Sequence, residues 1–150
     1  MAKSKKPRKS YNPNKILTNS PVMIRYTKEE GDIMKFRIYF HLGRIITDEA
    51  STGDYLALKF RINVGKELSK LFEGNEVKTI MDDGINLIEQ VKDRRLETGS
   101  WKIDLTLQDK LRYVLSIIDD IQDKTTRKEQ LPIFIAVEKQ LDHSLIDRLP

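Results

Sequence analysis

Residues Asp104 to Lys124 hold Leu107, Leu111, Val114, Ile118 and Ile121 at alternating steps of four and three. A helix gathers such positions onto one stripe, and a stripe that apolar must be covered. Leu115 and Ile117 widen it, while Asp109, Arg112, Ser116, Asp119 and Asp123 fill the opposite side. Thr106, with Asp109 three residues on, has the spacing of a capping box and would start the helix. The segment therefore predicts a core helix that other helices must enclose.

Three further helical patterns follow from the same spacing argument. From Tyr55 to Phe72 the stripe is Leu56, Phe60, Val64, Leu68 and Leu71, with Thr52 or Asp54 able to cap it. Gly65 inside that helix costs about 1 kcal/mol relative to Ala, so it marks close packing or a break. A break would evoke a helix-turn-helix, with Lys66, Ser69 and Lys70 on a recognition helix. Arg61 stands where that turn wants glycine, and Glu67 where it wants a buried aliphatic. One amphipathic helix with Lys59, Arg61, Lys66 and Lys70 on a basic outer face is the better account.

Asn75 can cap a helix from Glu76 to about Glu97, with Val77, Ile80, Met81, Ile85, Ile88 and Val91 inward and Gly84 allowing close approach. Gly99 suits a left-handed terminator, and Trp101 would anchor one end of the bundle. Thr126 with Glu129 can cap a last helix to about Leu141, although Pro132 argues for a start nearer Gln130.

Residues 28–48 carry two competing periods. Met34, Phe36, Ile38, Phe40 and Leu42 alternate with polar residues, as in a strand exposed on one face. Met34, Ile38, Leu42 and Ile45 also lie on a helical stripe. Length and a cap formed by Thr27 and Glu30 favour helix. A strand at 33–42 would make the fold α+β, with Val22–Tyr26 and Pro132–Val137 as pairing candidates.

Charge is unevenly placed along the 150 residues. Lys3, Lys5, Lys6, Arg8, Lys9 and Lys15 lie in the first fifteen with no acid among them. The other 21 basic residues face 23 acids, so a nearly neutral body carries a cationic arm, and the whole chain is +4. With Pro7, Pro13 and Pro21 opposing helix, residues 1–21 are expected to be a disordered arm. Such an arm engages nucleic acid electrostatically, with Tyr11 able to stack on a base. A solubilising tail, or one that docks on an acidic protein, is the alternative.

The patterns that would carry catalysis are missing. No cysteine is present, so there is no disulfide framework and no thiolate metal site, and cytoplasmic residence is the simplest expectation. His41 and His143 are the only imidazoles, and neither joins a serine motif. Asp82–Asp83 and Asp119–Asp120 are adjacent carboxylates, which splay by roughly 100° on a helix and read as solvated faces. No phosphate-binding glycine loop, zinc spacing or calcium loop occurs, and no run approaches the roughly 20 apolar residues of a membrane span. No cofactor or metal is called for, and no membrane is expected as a partner.

The opening Lys-Pro-Arg-Lys-Ser-Tyr-Asn-Pro-Asn-Lys (Lys6 to Lys15) resembles small uncharacterised proteins of proteobacterial genomes and their mobile elements. So does Arg61-Ile62-Asn63-Val64-Gly65-Lys66, followed by amphipathic segments. The resemblance implies a phage- or plasmid-linked setting and no particular activity.

The expected architecture is an all-α bundle of four to five helices over residues 22–142, behind the arm and ahead of a frayed end at 143–150. The expected function is that of a small non-enzymatic nucleic-acid-binding or regulatory accessory protein. A protein-interaction module, an inhibitor or adaptor whose arm contacts an acidic protein surface, is the alternative. An exposed helical face would suffice for a homodimer.

Overall fold

The computed structural model describes residues 28–141. The expectations for the arm, for the Thr27–Glu30 cap, for Val22–Tyr26 and for the C-terminal end lie outside them. Five helices follow one another: α1 (Lys28–Ile46), α2 (Thr52–Ser69), α3 (Glu76–Thr98), α4 (Leu105–Asp123) and α5 (Arg127–Gln140). Among the described residues there is no strand, so the fold is all-α.

The helix at the centre is α2, not α4. It packs against α1, α3, α4 and α5, whereas α4 packs chiefly on α2 and α3. Accordingly α2 buries side chains on several sides: Tyr55, Leu56, Leu58, Ile62, Val64 and Leu68 all lie in the core. A helix buried on several sides shows a weak one-sided pattern, while one with a single wet face shows a strong one. The stripe of α4 is buried as its spacing requires, from Leu107 through Ile121. Its strong amphipathicity marks an outer wall of the bundle.

Two glycines let the helices approach. A Cβ built on Gly65 would sit 2.5 Å from Ile118 Cγ1 and 2.8 Å from Met81 Sδ, so α2 touches α3 and α4 at this point through backbone. A Cβ on Gly84 would lie 2.7 Å from Val114 Cγ1, which brings α3 onto α4. Gly65 therefore marks close packing, and α2 runs unbroken through the position where a helix-turn-helix would bend.

The helix ends correct several expectations. Asp104, not Thr106, caps α4, its carboxylate accepting from Leu107 N–H at 2.8 Å. Ser51, not Thr52 or Asp54, is the N-cap of α2, and Asp54 instead accepts from Ser51 N–H at 2.7 Å. Asn75 occupies the N-cap of α3 without a side-chain hydrogen bond there. Thr126 and Glu129 do form a capping box, so α5 starts at Arg127 and Pro132 falls inside it. Gly99 ends α3 in the left-handed region at φ 73°, as its place after the last turn predicts.

Trp101 closes one end. Its ring stacks on Tyr55 with centroids 5.8 Å apart, and the Arg95 guanidinium lies over it at 5.3 Å. Its backbone N–H donates to Asp48 at 2.7 Å, tying the α3–α4 connection to the α1–α2 turn. Asp48 adopts φ 60°, a left-handed conformation that a short polar side chain tolerates.

Two outcomes test this packing. Gly65→Ala should lose about 1–3 kcal/mol to overpacking despite a helix-propensity gain near 1 kcal/mol. In chemical denaturation, pairing it with Ile118→Ala should recover part of that loss, because the obstructing Cγ1 and Cδ1 are gone. Leu111→Ala should cost about 2–5 kcal/mol through transfer and cavity terms.

Candidate functional site

Three of the proposed nucleic-acid contacts, Lys59, Arg61 and Lys66, fall on α2 and a fourth, Lys70, on its C-cap, and the structure separates them. Arg61 is only 3% exposed, and it does not belong to a basic outer face. It sits on a stripe with Leu58, Gly65 and Leu68, all turned inward. Its guanidinium donates to Asp119 Oδ1 at 2.8 Å and to the Gln122 side-chain carbonyl, both on α4. The charge is buried with a partner, as a charge inside a bundle must be.

Lys59, Lys66 and Lys70 do reach the surface region, each beside an acid. Lys59 lies 3.4 Å from Glu89, Lys66 lies 3.5 Å from Asp82, and Lys70 lies 2.8 Å from Glu67. Glu89 also accepts from Lys92, and these cations hold its carboxyl below the ordinary range although burial opposes them. The α2 surface is thus a checkerboard of opposite charges, a poor match for a row of phosphates. Lys3, Lys5, Lys6, Arg8, Lys9, Tyr11 and Lys15 precede the described residues.

Around Arg61 a polar seam links α1, α2, α4 and α5. The Tyr39 hydroxyl donates to Asp119 Oδ2 at 3.2 Å, and Lys35 Nζ lies 2.7 Å from Asp123 Oδ2. On the far side, Gln130 Nε2 donates to the Gln122 carbonyl at 3.0 Å and to Thr125 Oγ1 at 2.8 Å. Burial, and then the Asp119 charge, push the Tyr39 phenol up to about 12, so it acts as a neutral donor and not as a phenolate. Each cation in the seam faces a carboxylate. The seam fastens helices and leaves no charge over for a ligand.

A second cluster joins the end of α1 to the start of α2. Buried Asp54 accepts from His41 Nδ1 at 2.6 Å, Arg44 Nε at 3.1 Å, and both Ser51 N–H and Oγ–H. Burial would raise its pKa, but the bonds from His41, Ser51 and Arg44 outweigh it and hold the carboxyl at about 2. Ser51 bonds the carboxylate and not the imidazole, so this is no nucleophile–base–acid relay. Sequence reasoning missed this cluster. The signal was an acid at the third helical residue behind a serine, read as a cap of its own.

Two of the concavities among the described residues lie away from these clusters. A groove of about 620 Å³ between α3 and α4 is lined by Ile80, Leu87, Val114, Tyr113, Asp83 and Asp109 among others, and its walls hold no histidine, serine or threonine. The other lies on the outward side of α1, where Ile33, Phe36 and Phe40 are 53%, 74% and 56% exposed. Among the described residues, no group of three or more His, Cys, Asp or Glu residues is placed to hold a metal ion. Among those residues, too, no helix is long and apolar enough to cross a membrane.

No protein-family model, curated protein or solved structure matches the chain.

Two variants test the assignments made here. Arg61→Ala should destabilise by about 3–5 kcal/mol in denaturant, since it strands Asp119 and Gln122. If Arg61 served a ligand instead, the variant would keep its stability. For Asp54, whose folded carboxyl titrates below the ordinary 3.8, ionisation adds stability above that value, and the contribution vanishes as pH falls towards about 2. Melts should show wild type losing its advantage over Asp54→Asn across that window, and a constant gap would contradict the assignment.

Proposed function

We propose that the chain is a small non-enzymatic nucleic-acid-binding accessory protein that grips phosphates through its first fifteen residues and not through the helical body. One observation carries this: the distribution of charge. Those fifteen residues hold six cations and no acid, whereas residues 28–141 hold 19 basic against 21 acidic residues. Within the body, the α2 cations are already matched, Arg61 by Asp119 and the three lysines by neighbouring acids. A cation already beside a carboxylate gains little from a phosphate, while unopposed ones release condensed counterions from the polyanion. Tyr11, in the middle of the basic run, adds a stacking surface for an unpaired base. A phage- or plasmid-linked regulatory setting belongs to the same proposal and rests on the sequence resemblance.

The test is a salt titration with labelled duplex and single-stranded oligonucleotides. Six phosphate contacts give a slope near −5 for log affinity against log salt, about a thousandfold loss between 50 and 200 mM. Replacing Lys5, Lys6, Arg8 and Lys9 by Gln should flatten that slope for all sequences alike, because phosphate contacts position without specifying. Tyr11→Ala should weaken single strands more than duplex. Undiminished binding after deletion of residues 1–15, or no binding by the intact chain at low salt, would overturn the proposal.

A further inference from the structure

The groove of about 620 Å³ between α3 and α4 joins an apolar lining to an acidic border. Ile80, Leu87 and Val114 supply the lining, and Tyr113, 52% exposed, stands beside them. Gly84 meets Val114 and Arg94 meets Asp104, so the two helices run antiparallel, with the start of α3 beside the end of α4. At 100° per residue, the side of α3 towards the groove carries Glu76, Asp83, Arg94 and Glu97. The matching side of α4 and its C-cap carries Asp109, Lys110, Asp120 and Lys124.

Five acids thus meet three cations along the groove. That excess of two acids equals the whole excess of residues 28–141, where 21 acidic residues stand against 19 basic. The rest of the body is balanced, and its surplus negative charge lies here. Arg94 is already held by Asp104 at 3.6 Å. Asp109 lies 3.6 Å from Arg112, an exposed pair that water screens. Among the described residues, Glu76, Asp83 and Glu97 make no ion pair.

The segment whose charge answers this border belongs to the same chain. Lys35 reaches Asp123 at 2.7 Å, so the first half of α1 lies at the end of the bundle where α4 stops and α3 starts. Glu76, Asp83 and Asp120 are at that end. Thirteen residues separate Lys15 from Lys28, a span of up to about 45 Å. A domain of this size has a radius of gyration near 13 Å, so the groove is within reach. The arm of a second copy has the same chemistry, but a tether gives the chain's own arm an effective concentration of the order of millimolar.

We infer that the α3–α4 groove docks the chain's own residues 1–15, Tyr11 against Tyr113 and the apolar lining, the cations against the acidic border. Nucleic acid must then displace the groove to reach the arm. The competition, though not the docking, rests on the grip on phosphates proposed for these residues. An acidic face that holds the arm raises the dissociation constant for every polyanion by the inverse of the fraction of time the arm is free.

The chain has no cysteine, so Ser10→Cys gives the full-length protein a single site for a nitroxide label. At low salt the label should broaden the amide signals of Asp83, Asn86, Gln90, Lys110 and Tyr113. Salt at about 500 mM, or a duplex oligonucleotide, should restore them. Asp83→Asn with Asp109→Asn should abolish the broadening and tighten duplex binding about tenfold, as for an arm previously free about a tenth of the time. Tyr113→Ser should weaken the broadening. Glu49→Gln with Glu73→Gln removes the same charge away from the lining and should leave the broadening intact, with affinity changed less than about twofold. Broadening on another face or on none, or equal effects from the two double variants, would overturn the proposal. Broadening only between differently labelled chains would give the groove to a second copy's arm and overturn the intramolecular contact. Broadening without any nucleic-acid binding would uphold the docking and overturn the competition together with the reading it rests on.

Discussion

Each of the other four described helices is covered by leaning on α2, so burying one helix on several sides is the constraint from which the architecture follows. Helices α1 and α5 pack mainly on α2, and α3 and α4 pack on α2 and on each other. That arrangement requires α2 to offer contact surface in several directions and to come close on at least one. Leu58, Ile62, Val64 and Leu68 supply the first, and Gly65 the second, by letting Ile118 and Met81 rest on bare backbone. It also forces Arg61 indoors. A long cationic side chain on an enclosed stripe must take its counter-charge with it, and α4 supplies Asp119 and Gln122.

This explains which parts of the fold were legible in the chain. The stripe of α4 stood out because its other face is wet, and the helix appeared where its spacing placed it. The central role of α2 stayed hidden for the same physical reason: a helix covered on several sides has little amphipathic contrast. In α1 the alternation of Phe36, Ile38, Phe40 and Leu42 resembled a strand because two opposed faces are both apolar. Ile38 and Leu42 fill one and Phe36 and Phe40 the other. A period of two arises when a helix has a core face and a second face left open. Basic residues were the hardest to place, since Arg61 and Lys66 look alike in sequence and only the register with Leu58 and Leu68 tells them apart.

The functional reading rests on how the chain distributes its charge and its exposed apolar groups. The helical body neutralises itself: its buried cation is paired, and its surface lysines on α2 sit among acids. Its polar clusters at Asp54 and Asp119 join helices by hydrogen bonds, with Arg61 Nε and Gln130 Oε1 left buried and unbonded in the second. The sequence before α1 carries cations and no acid, and on α1 the side chains of Ile33, Phe36 and Phe40 are exposed.

Native-state hydrogen exchange, followed amide by amide, tests the central claim about α2 most directly. If α2 supports the other helices, its amides near Ile62 and Gly65 exchange only through global unfolding, while α1 and α5 open first at lower free energy. Slowest exchange in α4, with α2 opening in a sub-global step that leaves α4 protected, would contradict the account.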